Sequence, residues 1–260
     1  MKIMLCQQAA TYADKVANLA TIEHLAAGAK AFDVNVLIFP ELFLTGYNLK
    51  GQLRQLAEPI DGPGITRIRQ IARRHQTAII CGFPEKVDEF VFNSAVAIDK
   101  KGEIAHCHHK VFLFGDEEKV LFTPGHEFKT FELAGKRCGL SICYDIEFPE
   151  VARHMAQSGA SVLFNPTANM YPYTQVPLSL VRARALENGL VTVYANLCGE
   201  ENGLIYTGQS AIVLPDGTDL VRAGCDPAFL IGDISQGLAR NKSEPSSTQV
   251  FDLAKTQWLQ

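Results

Sequence analysis

Ile3-Met4-Leu5-Cys6 and Val36-Leu37-Ile38-Phe39, with residues 14–30 between them, form the stretch that decides the fold class. The flanking runs are short, apolar and rich in strand formers. The segment between them repeats Val16, Leu19, Ile22 and Ala26 at steps of three and four residues. Strand, one-faced helix, strand is the order of an α/β unit whose helix covers one side of a sheet. Working outward, residues 63–75 read as a second helix and 78–81 as a third strand. From 91 to 133 the pattern turns to strands and turns, with Asp99-Lys100-Lys101-Gly102 as the clearest hairpin turn, so antiparallel pairing is expected beside parallel. After Cys143 the alternation resumes. Helices are expected over 149–157 and 177–187, strands over 161–164 and 190–194, and an Asp216-Gly217 turn joins strands 211–214 and 219–221. The second half echoes the first. No Pro/Gly/Ser-rich linker interrupts the chain, so residues 1–260 are expected to form one domain. Residues 235–260 read as a C-terminal tail whose Val250, Phe251, Leu253, Trp258 and Leu259 are apolar enough to dock on the body or on a second subunit.

The bulk composition excludes several classes of function. In 260 residues, 47% hydrophobic and 20% charged, there is material for a sizeable core, which sets disorder aside. The net charge of -4 and the lack of any basic run interleaved with aromatics argue against nucleic acid as a partner. The seven cysteines form an odd count with no framework spacing, which fits a reducing compartment. Met1 to Gln8 turns polar too early for a signal peptide, and no apolar stretch approaches the roughly 20 residues of a membrane span. A cytoplasmic protein with no membrane partner is expected.

Three positions carry chemistry. Glu41 stands where the run Val36-Leu37-Ile38-Phe39-Pro40 ends, inside apolar surroundings. Burial there raises a carboxyl group toward neutrality and makes it a proton acceptor if a cation keeps it ionisable; the plainer reading is a structural acid. Lys110 closes Glu103-Ile104-Ala105-His106-Cys107-His108-His109-Lys110, where alternation puts His106, His108 and Lys110 on one face. A metal site built from His106, Cys107, His108 and His109 is disfavoured because alternation splits these ligands between two faces, so no metal is expected. Cys143 sits where the strand ending Leu140-Ser141-Ile142 meets a sharp turn before a helix opened at Pro149. Helix N–H groups and a lysine near such a corner would favour its thiolate. Cys6, Cys81 and Cys138 lie inside strand patterns and read as core. The shared placement of Glu41, Lys110 and Cys143 at strand ends, where open α/β sheets gather their sites, points to nucleophilic catalysis.

With those residues in view, the chain resembles the nitrilase superfamily of carbon-nitrogen hydrolases. The signature segments match Phe39-Pro40-Glu41-Leu42-Phe43, His109-Lys110-Val111-Phe112-Leu113-Phe114 and Gly139-Leu140-Ser141-Ile142-Cys143-Tyr144-Asp145-Ile146-Glu147-Phe148-Pro149-Glu150. Further matches at Asn165-Pro166-Thr167-Ala168-Asn169-Met170, Arg182 to Asn188 and Tyr194-Ala195-Asn196 follow in family order. The resemblance implies a four-layer αββα sandwich that pairs into a homodimer or higher homo-oligomer, with no cofactor. It implies Glu41 as general base, Lys110 as the cation for the tetrahedral intermediate and Cys143 as nucleophile. A fourth family acid falls at Glu118, with Glu117 as the alternative. The backbone N–H of Tyr144 is the implied second oxyanion donor.

Among the branches, the likeness is to 5-aminopentanamidase-like small aliphatic amidases, with departures at Tyr171 and Thr174-Gln175. A small-molecule amide, of ω-amino type, is the expected substrate. Asp145, Glu147, Glu200 and Glu201 are candidate partners for a substrate ammonium, and Tyr47, Tyr144 and Met170 candidate walls for its aliphatic chain, with Asn169 beside them. N-carbamoyl amines and nitriles are the competing substrates. A scaffold protein with a silent site is the non-enzyme alternative, and a nucleotide-binding Rossmann protein is disfavoured because no Gly-rich strand-to-helix turn appears.

Overall fold

The computed structural model describes residues 1–255. In chain order the main elements are β1 (Lys2–Gln7), α1 (Lys15–Ala29), β2 (Val36–Ile38), α2 (Leu53–Leu56), α3 (Pro63–His75), β3 (Ala78–Val87), β4 (Phe90–Ile98) and β5 (Ile104–His109). They continue with α4 (Gly115–Leu121), β6 (Thr130–Leu133), β7 (Lys136–Leu140), α5 (Pro149–Gln157), β8 (Val162–Thr167), α6 (Val181–Asn188) and β9 (Val191–Asn196). The chain closes through β10 (Glu200–Glu201), β11 (Leu204–Ile205), β12 (Ala211–Val213), β13 (Asp219–Arg222), β14 (Ala228–Asp233), α7 (Ser235–Ser243) and α8 (Gln249–Leu253).

Strand alternation sorts the apolar residues into two faces per sheet. One sheet runs β14-β1-β2-β3-β4-β5 and the other β13-β12-β9-β8-β7-β6, each with three neighbouring parallel strands and antiparallel flanks. Ile3, Leu5, Val36, Ile38 and Ile80 of the first sheet meet Leu140, Val162, Phe164, Val191 and Val193 of the second in one buried core. The intervening residues of the first sheet, Met4, Cys6, Leu37, Ile79 and Cys81, face outward onto Ile22 and Ala26 of α1 and Ile65, Ile68 and Ile71 of α3. Leu163 and Tyr194 do the same in the second sheet, against Met155 of α5 and Val181 and Ala185 of α6. The result is the αββα sandwich, helix on sheet on sheet on helix.

Where capping signals are strong the expected elements match. α3 and α5 each open on a proline, and α3 ends at Gln76 in the left-handed region. The Asp99 and Asp216 turns are present: Asp99 Oδ1 accepts from the Lys101 and Glu103 amides, and Asp216 Oδ1 from Thr218. Three expectations are corrected. Val16 is 79% exposed; Ile22 and Ala26 are buried as expected, Leu19 packs partly buried beside them, and Asn18 and Ala29 complete the buried face of α1. Asn18 is admitted because its amide bonds the Thr11 and Leu44 carbonyls while its oxygen accepts from the Thr11 amide. The stretch expected to hold only strands and turns contains the helix α4. The helix expected over 177–187 is a π-helical turn, Val176–Leu180, running into α6. In the tail, α8 lies against α5 and α6; Trp258 and Leu259 lie outside the described residues. Among the described residues no helix is long and apolar enough to cross a membrane.

Candidate active site

β2, β5 and β7 deliver the three singled-out residues to the same end of the sandwich. Glu41 follows β2 past Phe39-Pro40 and is fully buried. Its backbone passes so close to β3 that a Cβ on Gly82 would stand 2.3 Å from the Leu42 nitrogen and 2.7 Å from the Glu41 Cα. Only glycine lets the turn after β2 lie this close to β3. Lys110 follows β5, is also fully buried, and is pinned through its amide to the Asn93 carbonyl at 2.8 Å. Cys143 opens a 3-10 turn, Cys143–Glu147, with φ at 46°, an uncommon value for a non-glycine residue, and keeps partial solvent exposure.

Lys110 is the centre of the polar network. Its Nζ donates to Glu41 Oε1 at 2.8 Å and to Glu118 Oε1 at 2.7 Å. Asn93 Nδ2 donates to the same Glu41 oxygen at 2.7 Å, and Glu41 Oε2 is buried without a hydrogen-bond partner among the described residues. Glu118, on α4, also accepts from Tyr47 Oη at 2.6 Å and, through Oε2, from the Phe114 amide at 2.7 Å. Of the two acids read from the sequence, Glu118 enters the network. Glu117 lies on the rim of the neighbouring cavity.

The electrostatics follow from two carboxylates sharing one buried ammonium. Burial works against the Lys110 charge, but Glu118 and Glu41 overcome it and hold the ammonium well above its ordinary range. Burial also raises the Glu41 carboxyl; Lys110 opposes this and the Glu118 charge adds to it, so Glu41 ends above the usual carboxylate range. Cys143 departs from expectation. Burial pushes its thiol up, the Glu41 charge reinforces this, and Lys110 offsets only part, so the resting group is a thiol rather than a thiolate. The lysine cannot activate it alone because its charge is already matched by the two acids.

Two of the acids considered as partners for a substrate ammonium serve the framework instead. Asp145 is fully buried: Oδ1 accepts from the Val111 and Phe112 amides at 3.2 and 2.9 Å, and Oδ2 from the Ile142 amide at 3.0 Å, with His108 Nε2 at 3.1 Å. It ties the segment after Lys110 to the turn that carries Cys143. Glu201 accepts from the Tyr47 and Asn48 amides and from Tyr206 Oη, bracing the loop after Glu41. Glu200 is exposed on β10, and Glu147 is half-buried. Asn169 is buried, its amide bonded to the Tyr173 carbonyl and Thr207 Oγ1.

A cavity of about 240 Å³ opens beside Glu118, lined by Tyr47, Phe114, Leu121, Phe122, Met170 and Leu204. Tyr144 and Tyr173 stand edge-on to Phe114, each with ring centroids 5.4 Å away. Asn93 and Gly82 were not singled out from the sequence. Asn93 left one signal, a lone amide in the apolar run Val91-Phe92-Asn93-Ser94-Ala95.

An αββα sandwich with an acid, a lysine and a cysteine brought together at the strand ends defines a carbon-nitrogen hydrolase. The chain belongs to that family: the carbon-nitrogen hydrolase family model matches residues 2–242. Among relatives, an "(R)-stereoselective amidase" of Pseudomonas sp is 39% identical over 87% of this chain and 82% of its own. A "Hydrolase in pqqF 5'region" of Pseudomonas protegens is 42% identical over 92% and 84%. Among solved structures, an amidase from Nesterenkonia sp. superposes with a TM-score of 0.86 at 36% identity, covering 94% of each chain. A mutant of the Nesterenkonia sp. AN1 amidase, described as showing Michael addition of acrylamide at the active site cysteine, matches with a TM-score of 0.86 at 35% identity over 94% of this chain and 97% of that one. The chain is an enzyme of the amidase type within this family.

Proposed function

We propose that this enzyme hydrolyses a small aliphatic amide of ω-amino type to a carboxylate and ammonia, with Cys143 as nucleophile, Glu41 as general base and Lys110 and Glu118 completing the site. The observation that carries the reading is the fully buried Lys110 held between Glu41 and Glu118, with the second oxygen of Glu41 unengaged among the described residues. A buried acid with a raised pKa and one unengaged oxygen is a base, and a resting thiol beside it is a nucleophile that needs one.

Glu41 takes the Sγ proton of Cys143 as sulfur attacks the amide carbon. The oxyanion is held by Lys110 Nζ and by the backbone N–H of Tyr144, the second residue of a 3-10 turn whose first amides have no partner within the turn. The carbon-nitrogen bond breaks as Glu41 returns the proton to nitrogen, releasing ammonia and leaving a thioester. Glu41 then takes a proton from water, the hydroxide attacks the thioester carbon, and Cys143 leaves and regains its proton. Glu118, anchored by Tyr47 and the Phe114 amide, keeps Lys110 aimed at the oxyanion.

The 240 Å³ cavity and its apolar wall suit a chain of a few carbons. With Asp145 and Glu201 engaged by backbone amides, Glu147 and the exposed Glu200 remain of the four acids, and Glu147, which feels the Lys110 charge, is the one we take to meet a substrate ammonium. It is half-buried, and burial holds it above the usual range, with Arg184 and Lys110 opposing. We further take residues 1–260 as a single hydrolase domain working as a homodimer in the cytoplasm, where its seven unpaired cysteines stay reduced. Ammonia release from 5-aminopentanamide, neutral aliphatic amides, N-carbamoyl amines and nitriles, by wild type and Cys143→Ala, tests the reading. Cys143-dependent release that is fastest from the amino amide supports it; release from carbamoyl amines or nitriles alone replaces the substrate class.

A further inference from the structure

The four-residue run His106-Cys107-His108-His109 is split by β5 between two faces. His106 and His108 point into the sandwich, stacking on Phe131 and Phe128 at 4.9 and 5.2 Å. Cys107 and His109 point to the outer face. There Glu85, two strands away on β3, meets them: its Oε2 lies 2.9 Å from His109 Nε2 and 3.3 Å from Cys107 Sγ. The three ligand atoms all lie within 4.8 Å of one another. This convergence is invisible in the sequence because the third group comes from a strand about 20 residues upstream, brought into line by the β3–β4 and β4–β5 registers.

We propose that Glu85, Cys107 and His109 form a binding site for a divalent cation of borderline softness, with Zn²⁺ the best fit, separate from the catalytic network. One thiol, one imidazole and one carboxylate are the donor types Zn²⁺ takes, and a tetrahedral ion with bonds of about 2.0–2.3 Å sets its ligands roughly 3.3–3.6 Å apart. The His109–Glu85 and Cys107–Glu85 separations therefore need to open by only a few tenths of an ångström. Water fills the fourth corner. The surroundings are those of a supported site: Ser94 Oγ donates to the ligating Glu85 oxygen at 2.8 Å, and the Phe92 ring stacks on His109 at 4.1 Å, fixing the imidazole plane. Glu85 is 4% exposed while the His109 side chain is 30% exposed, so the anchor is buried and the entrance is open. An ion here clamps β3 to β5 across β4, one residue before Lys110.

The test is titration of reduced, metal-free protein with Co²⁺ alone. Wild type and Cys143→Ala should each bind one ion, giving a sulfur-to-cobalt charge-transfer band and the strong visible bands of a four-coordinate ion, both bleached by Zn²⁺. Cys107→Ser should lose the charge-transfer band. Ser94→Ala keeps all three ligands and should bind about 10–100-fold more weakly. Zn²⁺ should also raise the melting temperature of Cys143→Ala but not of Cys107→Ser. Absence of the bands from wild type overturns the proposal, as does a band that survives Cys107→Ser and disappears in Cys143→Ala, since that places the ion on the catalytic thiol.

Discussion

Replacing Asp145 by asparagine separates a framework acid from a substrate-binding one. The carboxylate accepts three backbone N–H bonds and faces His108, all in a fully buried setting. In Asp145→Asn the amide oxygen can keep the Val111 and Phe112 amides, and His108 can change tautomer to accept from the new NH₂. The Ile142 amide then faces a donor. One bond to a charged acceptor is lost, worth about 1.5–3 kcal/mol, and a buried N–H is left unsatisfied at about 1–3 kcal/mol more. The expected loss is roughly 3–5 kcal/mol, which for a chain of this size lowers the melting temperature by about 10 °C. Because Ile142 precedes the nucleophile, kcat should fall for every substrate alike. Calorimetry and steady-state kinetics on cationic and neutral amides provide the assay. An unchanged melting temperature together with a KM raised only for the amino amide would show that Asp145 meets the substrate, and would refute the reasoning.

Glu41→Gln should abolish turnover by about 10²–10⁴-fold or more, the worth of a general base. Removing its charge should also lower the titration midpoint of the Cys143 thiol, read from its thiolate absorbance, since Glu41 holds that thiol up while Lys110 remains to pull it down; a higher midpoint would contradict that electrostatic role. Tyr47→Phe deletes the 2.6 Å bond to Glu118 and should cost roughly 1.5–3 kcal/mol in kcat/KM, with intact folding by circular dichroism. Activity should fall on the acid side through a midpoint above the usual carboxylate range, as Glu41 takes up its proton. Stability has its own acid limb. Burial would raise Asp219, yet Arg222 and Arg182 hold it at about 2, below its ordinary 3.8. Its contribution is complete above pH 3.8 and is lost as pH falls through about 2, and Asp219→Asn should flatten acid unfolding there.

How much of this was legible in the sequence depends on whether a signal was local. The bounds of α3 and α5 could be read because proline fixes the first turn of each. Glu41, Lys110 and Cys143 were legible as strand-end residues in a matching family order. Helix α4 was not: Gly115-Asp116-Glu117-Glu118-Lys119 shows no apolar stripe, and the buried group that anchors it is the charged Glu118. Val16 misled because the position it suggested for the core is taken by Asn18, whose partners Thr11 and Leu44 lie outside the helix. Asp145 and Glu201 looked like free carboxylates because most of the amides they accept from, those of Val111, Phe112, Tyr47 and Asn48, belong to distant segments. Nothing in a linear reading shows which acids will meet backbone and which will meet substrate.

The central claim is that Cys143 carries the acyl group between two chemical steps. Rapid-quench intact-mass measurement during turnover of a good amide, followed by peptide mapping, tests it most directly. A transient adduct of acyl mass should appear on Cys143, disappear as substrate is exhausted and never form in Cys143→Ala. Steady turnover by Cys143→Ala, or an acyl adduct mapped to any other residue, would contradict it.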